Sequence, residues 1–225
     1  MGPDTPHYLE EVYWWAYVRP LAVRFWDRPW LINLILFGKY GTLRDRVLEE
    51  FGPVISGKTL QISCCYGELT PRLSARVQKG GGSLDVIDIL PIQLENVKRK
   101  LSRDAAVQTF RMDAASLDFP TASYDQVLVF FLLHEEPQEY REKTMREALR
   151  ILKPGGKIVI ADYGVPRAWH PLRYILLPFL GFLEPTAWDL WRQELKDVLP
   201  HEMAGRSWRK TSYFGGLYQM LVSRG

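Results

Sequence analysis

Apolar and polar positions alternate along the chain in a pattern that predicts strands and helices in turn. Short apolar runs predict strands over Thr59–Cys64, Leu84–Asp88, Val107–Met112, Tyr124–Phe131 and Lys157–Asp162. Between them, apolar residues at helical spacing predict helices over Thr70–Gln78, Pro91–Leu101 and Glu139–Leu152. This alternation predicts a doubly wound, parallel α/β sheet that binds its ligands at the carboxyl ends of the strands.

The segments before and after this alternation do not continue the strand–helix pattern. Two further strands, Ser207–Tyr213 and Leu217–Val222, meet through Gly215-Gly216 and predict a hairpin that completes the sheet with an antiparallel last strand. The predicted division has four parts: an N-terminal helical cap over 1–52, the α/β core over 53–166, an insertion or lid over 167–206, and the C-terminal hairpin over 207–225.

Composition narrows the classes of partner and compartment. The 225 residues carry a net charge of only +3 and no Lys/Arg-rich run, so we expect no nucleic-acid partner. The start, MGPDTPHYLEE, has no basic region followed by an apolar one, so it predicts no signal peptide. The two cysteines, Cys64 and Cys65, are adjacent, which fits a reducing compartment. We therefore expect a cytoplasmic protein.

A ligand site is indicated where the first strand ends. The run Thr59–Arg72, TLQISCCYGELTPR, predicts a strand, a tight turn at Cys65–Gly67 and the start of a helix. Backbone N–H groups at such a helix start attract anionic or polar ligand groups. Asp88 follows about twenty residues later, at the end of the second strand, where an acid accepts hydrogen bonds from a ribose. The turn and the acid together favour a nucleoside ligand.

At this point the chain resembles the class I S-adenosylmethionine (SAM)-dependent methyltransferases. The resemblance rests on the turn, on Asp88, and on the runs FRMDAASLDFPTASYDQVLVFFLLHEEP and ALRILKPGGKIVIADY. It implies that Gly67 lies beside the methionine moiety, that Asp88 holds the ribose hydroxyls and that Asp113 contacts the adenine amino group. It further implies that the remaining cofactor contacts come from Ile89, Met112, Ala114, Val129 and Phe130.

The turn departs from the pattern of that family. Gln61 stands where the family usually has an acid, Ser63 and Cys65 stand where it has glycines, and Tyr66 replaces a small residue. The resemblance implies that these positions surround the amino-acid end of SAM. Ser63 and Cys65 therefore remain predicted cofactor contacts, although their side chains differ from the glycines of the family. A conventional methyl transfer does not require that end to be altered.

Over its whole length the chain is similar to the RquA-type rhodoquinone biosynthesis proteins. The similarity is carried by WWAYVRPLAVRFWDRPWLINLILFGKYGTLRD, SLDVIDILPIQL, FFLLHEEP, HPLRY and YFGGLYQ. It implies conversion of ubiquinone to rhodoquinone, in which an amino group replaces a ring methoxy group. It also implies SAM as the amino donor and manganese as the metal.

Candidate catalytic residues lie just beyond the fourth and fifth strands. His134 follows the fourth strand, and Asp162 and Tyr163 end the fifth, so all three are predicted at the ligand edge of the sheet. His134 and Asp162 also form the minimal predicted metal pair, because manganese accepts imidazole and carboxylate ligands. Glu135 and Glu136 are expected to be solvated. Tyr40, between Gly38 and Gly41, is predicted to line the ligand pocket.

Aromatic residues crowd the two flanking segments and leave two interpretations open. Trp14, Trp15, Trp26 and Trp30 are interleaved with Arg19, Arg24 and Arg28, and Leu172–Leu183 is apolar apart from Arg173. Both segments are shorter than the ~20 residues that span a bilayer. The aromatic side chains either cover the core or dock the protein at a membrane surface. Because a polyprenyl quinone resides in the bilayer, we expect peripheral docking on the inner, respiratory membrane.

Three functions remain open at this stage. The first is SAM-dependent amination of ubiquinone, the second is ordinary methylation of a quinone precursor, and the third is a catalytically silent SAM-binding or membrane-docking protein. The presence of both Asp88 and Asp113 disfavours the third.

Overall fold

The apolar runs form a seven-stranded sheet with the order β3-β2-β1-β4-β5-β7-β6. The computed structural model describes residues 23, 25–64, 66–174, 186–200, 203 and 205–225. The strands are β1 Lys58–Ile62, β2 Ser83–Asp88, β3 Val107–Arg111, β4 Tyr124–Phe130, β5 Leu152–Tyr163, β6 Trp208–Tyr213 and β7 Tyr218–Arg224. The first five strands are parallel, and β7 runs antiparallel to both β5 and β6. The predicted sheet with an antiparallel last strand is confirmed.

Helices lie between the strands as the periodicity predicts. They are α1 Pro29–Ile35, α2 Tyr40–Phe51, α3 Leu69–Lys79, α4 Pro91–Lys100, α5 Gln138–Ile151 and the short α6 Ala187–Leu190, with single 3-10 turns at Leu195–Val198 and Phe214–Gly216. Proline occupies the first turn of α1 and α4, where its missing N–H leaves no helical bond unmade. Helices α3 and α4 pack on each other and on β2, whereas α5 packs on β5.

The centre of the sheet is buried on both faces. Leu60, Ile62, Val127 and Val129 expose none of their surface. Burying a side chain of this size stabilises a fold by about 1.5–3 kcal/mol, so the two central strands anchor everything attached to their ends. The strand order reverses between β1 and β4, which opens a crevice at their carboxyl ends.

Most strand boundaries lie within two residues of their predictions, and one differs by more. The fifth strand begins at Leu152, not at Lys157, because Leu152 pairs with Tyr124 and the ladder resumes at Lys157 after a register shift. The Lys153–Gly156 stretch, which directly follows the helix that ends at Ile151, therefore belongs to the strand. The division of the chain into four parts stays a prediction.

Candidate cofactor and catalytic site

The turn after β1 keeps a glycine-like backbone although a serine occupies it. Ser63 has a φ of +73°, in the left-handed region that glycine adopts without strain. Its N–H donates to the carbonyl of Ile87 (3.0 Å), which joins the end of β1 to that of β2. A non-glycine residue in this conformation costs on the order of 1 kcal/mol. The chain therefore holds the turn shape against a local cost.

Asp88 holds this turn from the neighbouring strand. Its Oδ2 accepts the N–H of Cys64 and its Oδ1 that of Leu90, both at 2.9 Å. Burial raises the pKa of Asp88 to about 6, although these hydrogen bonds oppose the shift. The carboxylate lies at the carboxyl end of β2, as its predicted ribose contact requires. Cys64 is buried beneath it, and Cys65 lies outside the described residues.

Tyr40 reaches the same turn from the first residue of α2. Its hydroxyl accepts the N–H groups of Glu68 (2.8 Å) and Leu69 (3.2 Å) and donates to the carbonyl of Tyr66 (3.2 Å). Gly67 has a φ of +85°, and any side chain there would collide with the Tyr40 ring. Tyr40 thus fixes the start of α3 in addition to lying beside the predicted ligand.

Sequence reasoning missed two charged residues at the turn. The Gly67 N–H donates to Asp27 Oδ1 (2.7 Å), and Lys100 Nζ donates to Asp27 Oδ1 (2.8 Å) and to the carbonyl of Gly67 (2.9 Å). Asp27 lies 40 residues before Gly67 and Lys100 lies 33 residues after it. No short motif joins positions so far apart, so the sequence held no signal for this contact.

The residues predicted to face adenine lie where β2 and β3 end. They are Ile89, Met112, Asp113 and Ala114, and all four are partly exposed. The Met112 N–H donates to the Asp88 carbonyl (3.2 Å), which places the two strand ends side by side. Asp113 Oδ1 accepts the N–H of Ala115 (2.8 Å), which orients that carboxylate. A ligand lying across this edge can reach Asp88 and Asp113 together.

The other predicted cofactor contacts lie deeper in the fold. Val129 and Phe130 end β4 and are buried, so the edge there is formed by the partly exposed Phe131, which has a φ of +51°. The Tyr66 side chain is hydrogen-bonded to the buried Gln93. Burial raises the pKa of the Tyr66 phenol far above its ordinary value. The replacement of a small residue by Tyr66 therefore adds a large, fixed ring beside the site.

His134 and Asp162 meet in a buried hydrogen bond on the other side of the switch point. His134 Nδ1 lies 2.9 Å from Asp162 Oδ1. Because a carboxylate only accepts, the imidazole carries its proton on Nδ1 and presents the lone pair of Nε2. Glu135 Oε1 lies 3.8 Å from Nε2. Two carboxylates therefore stabilise the positive charge that arises when Nε2 takes up a proton.

Asp162 also shapes the loop after β4. Its Oδ2 accepts the N–H groups of Leu133 (2.9 Å) and His134 (3.3 Å), and its Oδ1 accepts the N–H of Tyr163 (2.7 Å). Both oxygens are thus occupied by donors of the chain itself. One buried side chain orients the His134 ring and the backbone that carries it.

The predicted metal pair does not fit a metal site. The oxygens of Asp162 are saturated by N–H donors, and His134 Nδ1 is one of them. Among the residues that the structure describes, no group of three or more His, Cys, Asp or Glu side chains is placed to hold a metal ion. The described donors therefore do not support the manganese site that the family resemblance implies.

A wall of aromatic rings starts at His134. The Tyr163 ring lies 4.8 Å from the His134 ring, Tyr218 stacks on Tyr163 at 5.8 Å, and Phe214 stacks on Tyr218 at 6.4 Å. The Phe131 ring meets Tyr163 edge-on at 5.5 Å. Tyr163 and Tyr218 are buried, so these rings pack mainly on one another, and a planar ligand meets the row only at the partly exposed Phe131 and Phe214.

The structure corrects the expectation for Glu136. This residue was expected to be solvated, but its side chain is 2% exposed and accepts a hydrogen bond from Thr144 Oγ1 (2.8 Å). Burial raises its pKa to about 8, so it is mainly a neutral acid at pH 7. The fully buried Arg141 lies nearby and donates to the carbonyls of Leu133 (2.6 Å) and Thr186. Arg141 thereby ties the His134 loop to the segment before α6.

The sequence of this region matches known proteins. Residues 60–160 match the family model described as a methyltransferase domain. A demethylmenaquinone methyltransferase of Staphylococcus saprophyticus is 33% identical over 136 residues, 60% of this chain and 57% of that protein. One from Staphylococcus aureus strain JH9 is 32% identical over 136 residues, 60% of this chain and 55% of its own. The match spans little more than half the length of these relatives.

Solved structures share the whole architecture. A SAM-dependent methyltransferase from Aquifex aeolicus has a TM-score of 0.57 at 20% identity, covering 92% of this chain and 98% of its own. The N-methyltransferase NodS from Bradyrhizobium japonicum, in complex with S-adenosyl-L-homocysteine, has a TM-score of 0.59 at 16% identity, covering 90% of each chain. The fold is that of the class I SAM-dependent methyltransferases.

The position of Asp88 generates a prediction for cofactor binding. Asp88→Asn should weaken SAM binding by about 1.5–3 kcal/mol, because a charged acceptor is lost. Wild-type affinity should fall as the pH drops below about 6, since the carboxyl then takes up a proton and ceases to be a charged acceptor. This pH dependence should be absent from the variant. Titration calorimetry across that range measures both effects.

The exposed Asp118 provides a matched control, and Asp118→Asn should bind SAM as the wild type does. If Asp88→Asn retains full affinity while its circular dichroism shows an intact fold, the ribose assignment is wrong.

Proposed function

We propose that this protein replaces a ring methoxy group of ubiquinone with the amino group of SAM and so forms rhodoquinone. The observation that carries this proposal is the altered turn after β1. It lies at the amino-acid end of the proposed cofactor site, where a methyl donor needs no alteration and an amino donor does.

The strand ends support SAM as the ligand. Asp88 and Asp113 supply carboxylates to one partly exposed edge, and the turn at Gly67 is packed against the Tyr40 ring beside it. Asp88 would hold the ribose, Asp113 and Ile89 the adenine, and the turn the amino-acid end. The N-methyltransferase NodS, which shares this fold at 16% sequence identity, was solved in complex with S-adenosyl-L-homocysteine.

The quinone substrate is supported by the relatives and by the aromatic wall. Two curated relatives are named as methyltransferases of demethylmenaquinone. Tyr163, Tyr218 and Phe214 form near-parallel surfaces that begin at His134. A benzoquinone ring placed at the partly exposed Phe131, whose ring lies 5.9 Å from that of His134, would lie within reach of His134.

The turn supports amination over methylation. Gln61 is fully buried, and its Nε2 donates to the Ser63 carbonyl (3.0 Å) and to Thr70 Oγ1 (2.9 Å). A neutral amide therefore stands where the family usually has an acid. The end of β1 therefore lacks the acceptor that usually fixes the amino group of a methyl donor, so this end of the ligand is held differently.

The reaction needs a base beside the ring, and His134 is placed to act as one. When bound, SAM supplies the amino group, and the ring carbon loses methoxide. Nε2 of His134 takes the proton that the nitrogen releases, and Asp162 holds the resulting imidazolium through Nδ1. Passing this proton to methoxide yields methanol and restores His134. A later step must cleave the bond between the nitrogen and the SAM α-carbon.

Ordinary methylation of a quinone precursor is the second candidate, favoured by the names of the relatives. Incubation with ubiquinone and SAM, followed by mass spectrometry of the quinone, separates the two. Exchange of methoxy for amino supports amination. Methyl gain on a hydroxylated precursor, with ubiquinone unchanged, supports methylation and contradicts our proposal.

His134→Ala should lower kcat by about a hundred- to ten-thousandfold, the usual effect of losing a general base. SAM affinity should change little, because the Asp88 edge is intact. Rapid-quench turnover assays and calorimetry on the same preparation measure the two effects. Turnover close to that of the wild type would show that His134 is not the base.

We also propose that the protein docks on the cytoplasmic face of the inner membrane, where its substrate resides. In the part of the chain that the structure describes, no helix is long and apolar enough to cross a bilayer. Large apolar side chains are nevertheless exposed on two segments, namely Phe25, Trp30, Leu34 and Ile35 on the first and Trp169 and Tyr174 on the second. Phe37 stacks on Phe214 (6.4 Å), and His170 joins Phe214 (4.8 Å) to Trp169 (5.7 Å).

These contacts make the two segments one apolar surface, and Phe214 connects it to the aromatic wall. A lipid-soluble quinone could therefore pass from the bilayer to His134 along aromatic rings. Basic side chains lie within this surface, since Arg28 covers the Phe25 ring and Lys39 the Phe214 ring. Interleaved aromatic and basic residues suit an anionic lipid interface.

Replacing Trp30 and Leu34 together with Ser should reduce flotation with anionic liposomes, because both side chains are more than half exposed. Activity on long-tailed ubiquinone in liposomes should fall, whereas activity on a short-tailed, soluble quinone should persist. Val54→Ser, at another exposed apolar position, is the matched control. Equal loss on both quinones together with a lower Tm would show that Trp30 and Leu34 stabilise the fold instead.

A further inference from the structure

Two opposite charges from distant elements meet at the turn after β1. Asp27 lies just before α1 and Lys100 is the last residue of α4, and the two are 2.8 Å apart. Their side chains are only 13% and 21% exposed, respectively. Enclosing an ion pair to this degree carries a desolvation cost that a surface pair avoids. A role beyond surface solubility is therefore expected.

Both charges are directed at one residue of the turn. Asp27 accepts the Gly67 N–H (2.7 Å), and Lys100 donates to the Gly67 carbonyl (2.9 Å). The peptide groups on either side of Gly67 thus set the positions of a carboxylate and an ammonium group. This arrangement presents one negative and one positive group side by side.

The position of this pair relative to a bound nucleoside follows from the other end of the turn. Asp88 bonds to Cys64, three residues before Gly67. A nucleoside whose ribose lies on Asp88 and whose chain follows the turn brings its far end towards Gly67. In SAM that far end is an α-amino acid, with one ammonium and one carboxylate group.

The end of β1 supplies no charge for this amino acid. Gln61 is neutral, and its amide nitrogen is engaged by Ser63 and Thr70. Any charged recognition of the amino-acid end must therefore come from another element.

We propose that Asp27 and Lys100 form a clamp for the amino-acid end of SAM, with Asp27 binding the amino group and Lys100 the carboxylate; this rests on the proposed SAM site. A zwitterion offers one group of each sign. Each member of the pair therefore keeps an opposite charge beside it when the ligand enters. The Gly67 peptide groups hold both side chains, so the two charges lie side by side at the turn.

A different role for the same contacts is a latch that holds the segment before α1 onto the turn. The two roles differ in which part of the ligand they affect. A clamp acts only on the amino-acid end, whereas a latch shapes the whole site. Nucleosides that lack parts of that end can therefore distinguish them.

The experiment is titration calorimetry with three ligands: SAM, decarboxylated SAM, which keeps the amine only, and 5′-methylthioadenosine, which lacks both charged groups. Asp27→Asn should weaken SAM and decarboxylated SAM by about ten- to a hundredfold and leave methylthioadenosine unchanged. Lys100→Met should weaken SAM by a similar factor and spare the other two ligands. Lys143→Met, which removes an exposed helix ion pair on α5, is the matched control and should change nothing.

Retained binding of methylthioadenosine also shows that the variants are folded. Equal weakening of all three ligands would overturn the clamp in favour of the latch, and unchanged binding of all three would overturn both. Failure of the proposed SAM site is a separate result. In that case the wild type binds none of the three ligands, so neither Asp88→Asn nor the Asp27 and Lys100 variants can lower an affinity.

Discussion

The turn between β1 and α3 must be held in shape although it has few of the glycines that would shape it without strain. The hydrogen bonds that do this come from three other elements. Asp88 holds Cys64 from the end of β2, Tyr40 holds Glu68 and Leu69 from the start of α2, and Asp27 holds Gly67 from the segment before α1. The N-terminal helices are therefore part of the structure that shapes this turn.

A second carboxylate has the same function on the other side of the switch point. Asp162 is buried and accepts four N–H groups, from His134 twice and from Leu133 and Tyr163. A buried carboxylate is tolerated when its lone pairs are all used in this way. The proposed cofactor edge and the proposed catalytic edge are thus each organised by one acid at the end of a strand, Asp88 at the end of β2 and Asp162 in β5. The buried strands β1 and β4 lie between β2 and β5 and so set the distance between these two edges.

The sequence predicted what local patterns and short motifs determine. The strands and helices followed from apolar periodicity, and so did the location of Asp88, Asp113 and His134 at the ends of strands, whereas their roles stay predictions. The start of β5 was misplaced because Leu152 joins the sheet through pairing with Tyr124, a contact that Pro154 and two glycines conceal. Glu136 was expected in solvent because a glutamate near a helix start usually is. Its burial depends on Thr144 and the packing of α5, which no local pattern records.

Asp27 and Lys100 could not be found from the sequence for a related reason. Each is an ordinary charged residue, and only the fold brings both to Gly67. The same holds for Arg141, whose role depends on the carbonyl of Leu133 in a separate loop. Long-range contacts of single polar residues leave no periodic trace in the chain.

The central claim is that the amino-acid end of SAM supplies the nitrogen that enters the quinone. The most direct measurement uses SAM labelled with ¹⁵N at its α-amino group, with unlabelled ammonium and glutamine present, and mass spectrometry of the product quinone. We expect the label to appear in the quinone amino group. A quinone that is aminated without label, or methylated with no nitrogen gained, would contradict the account.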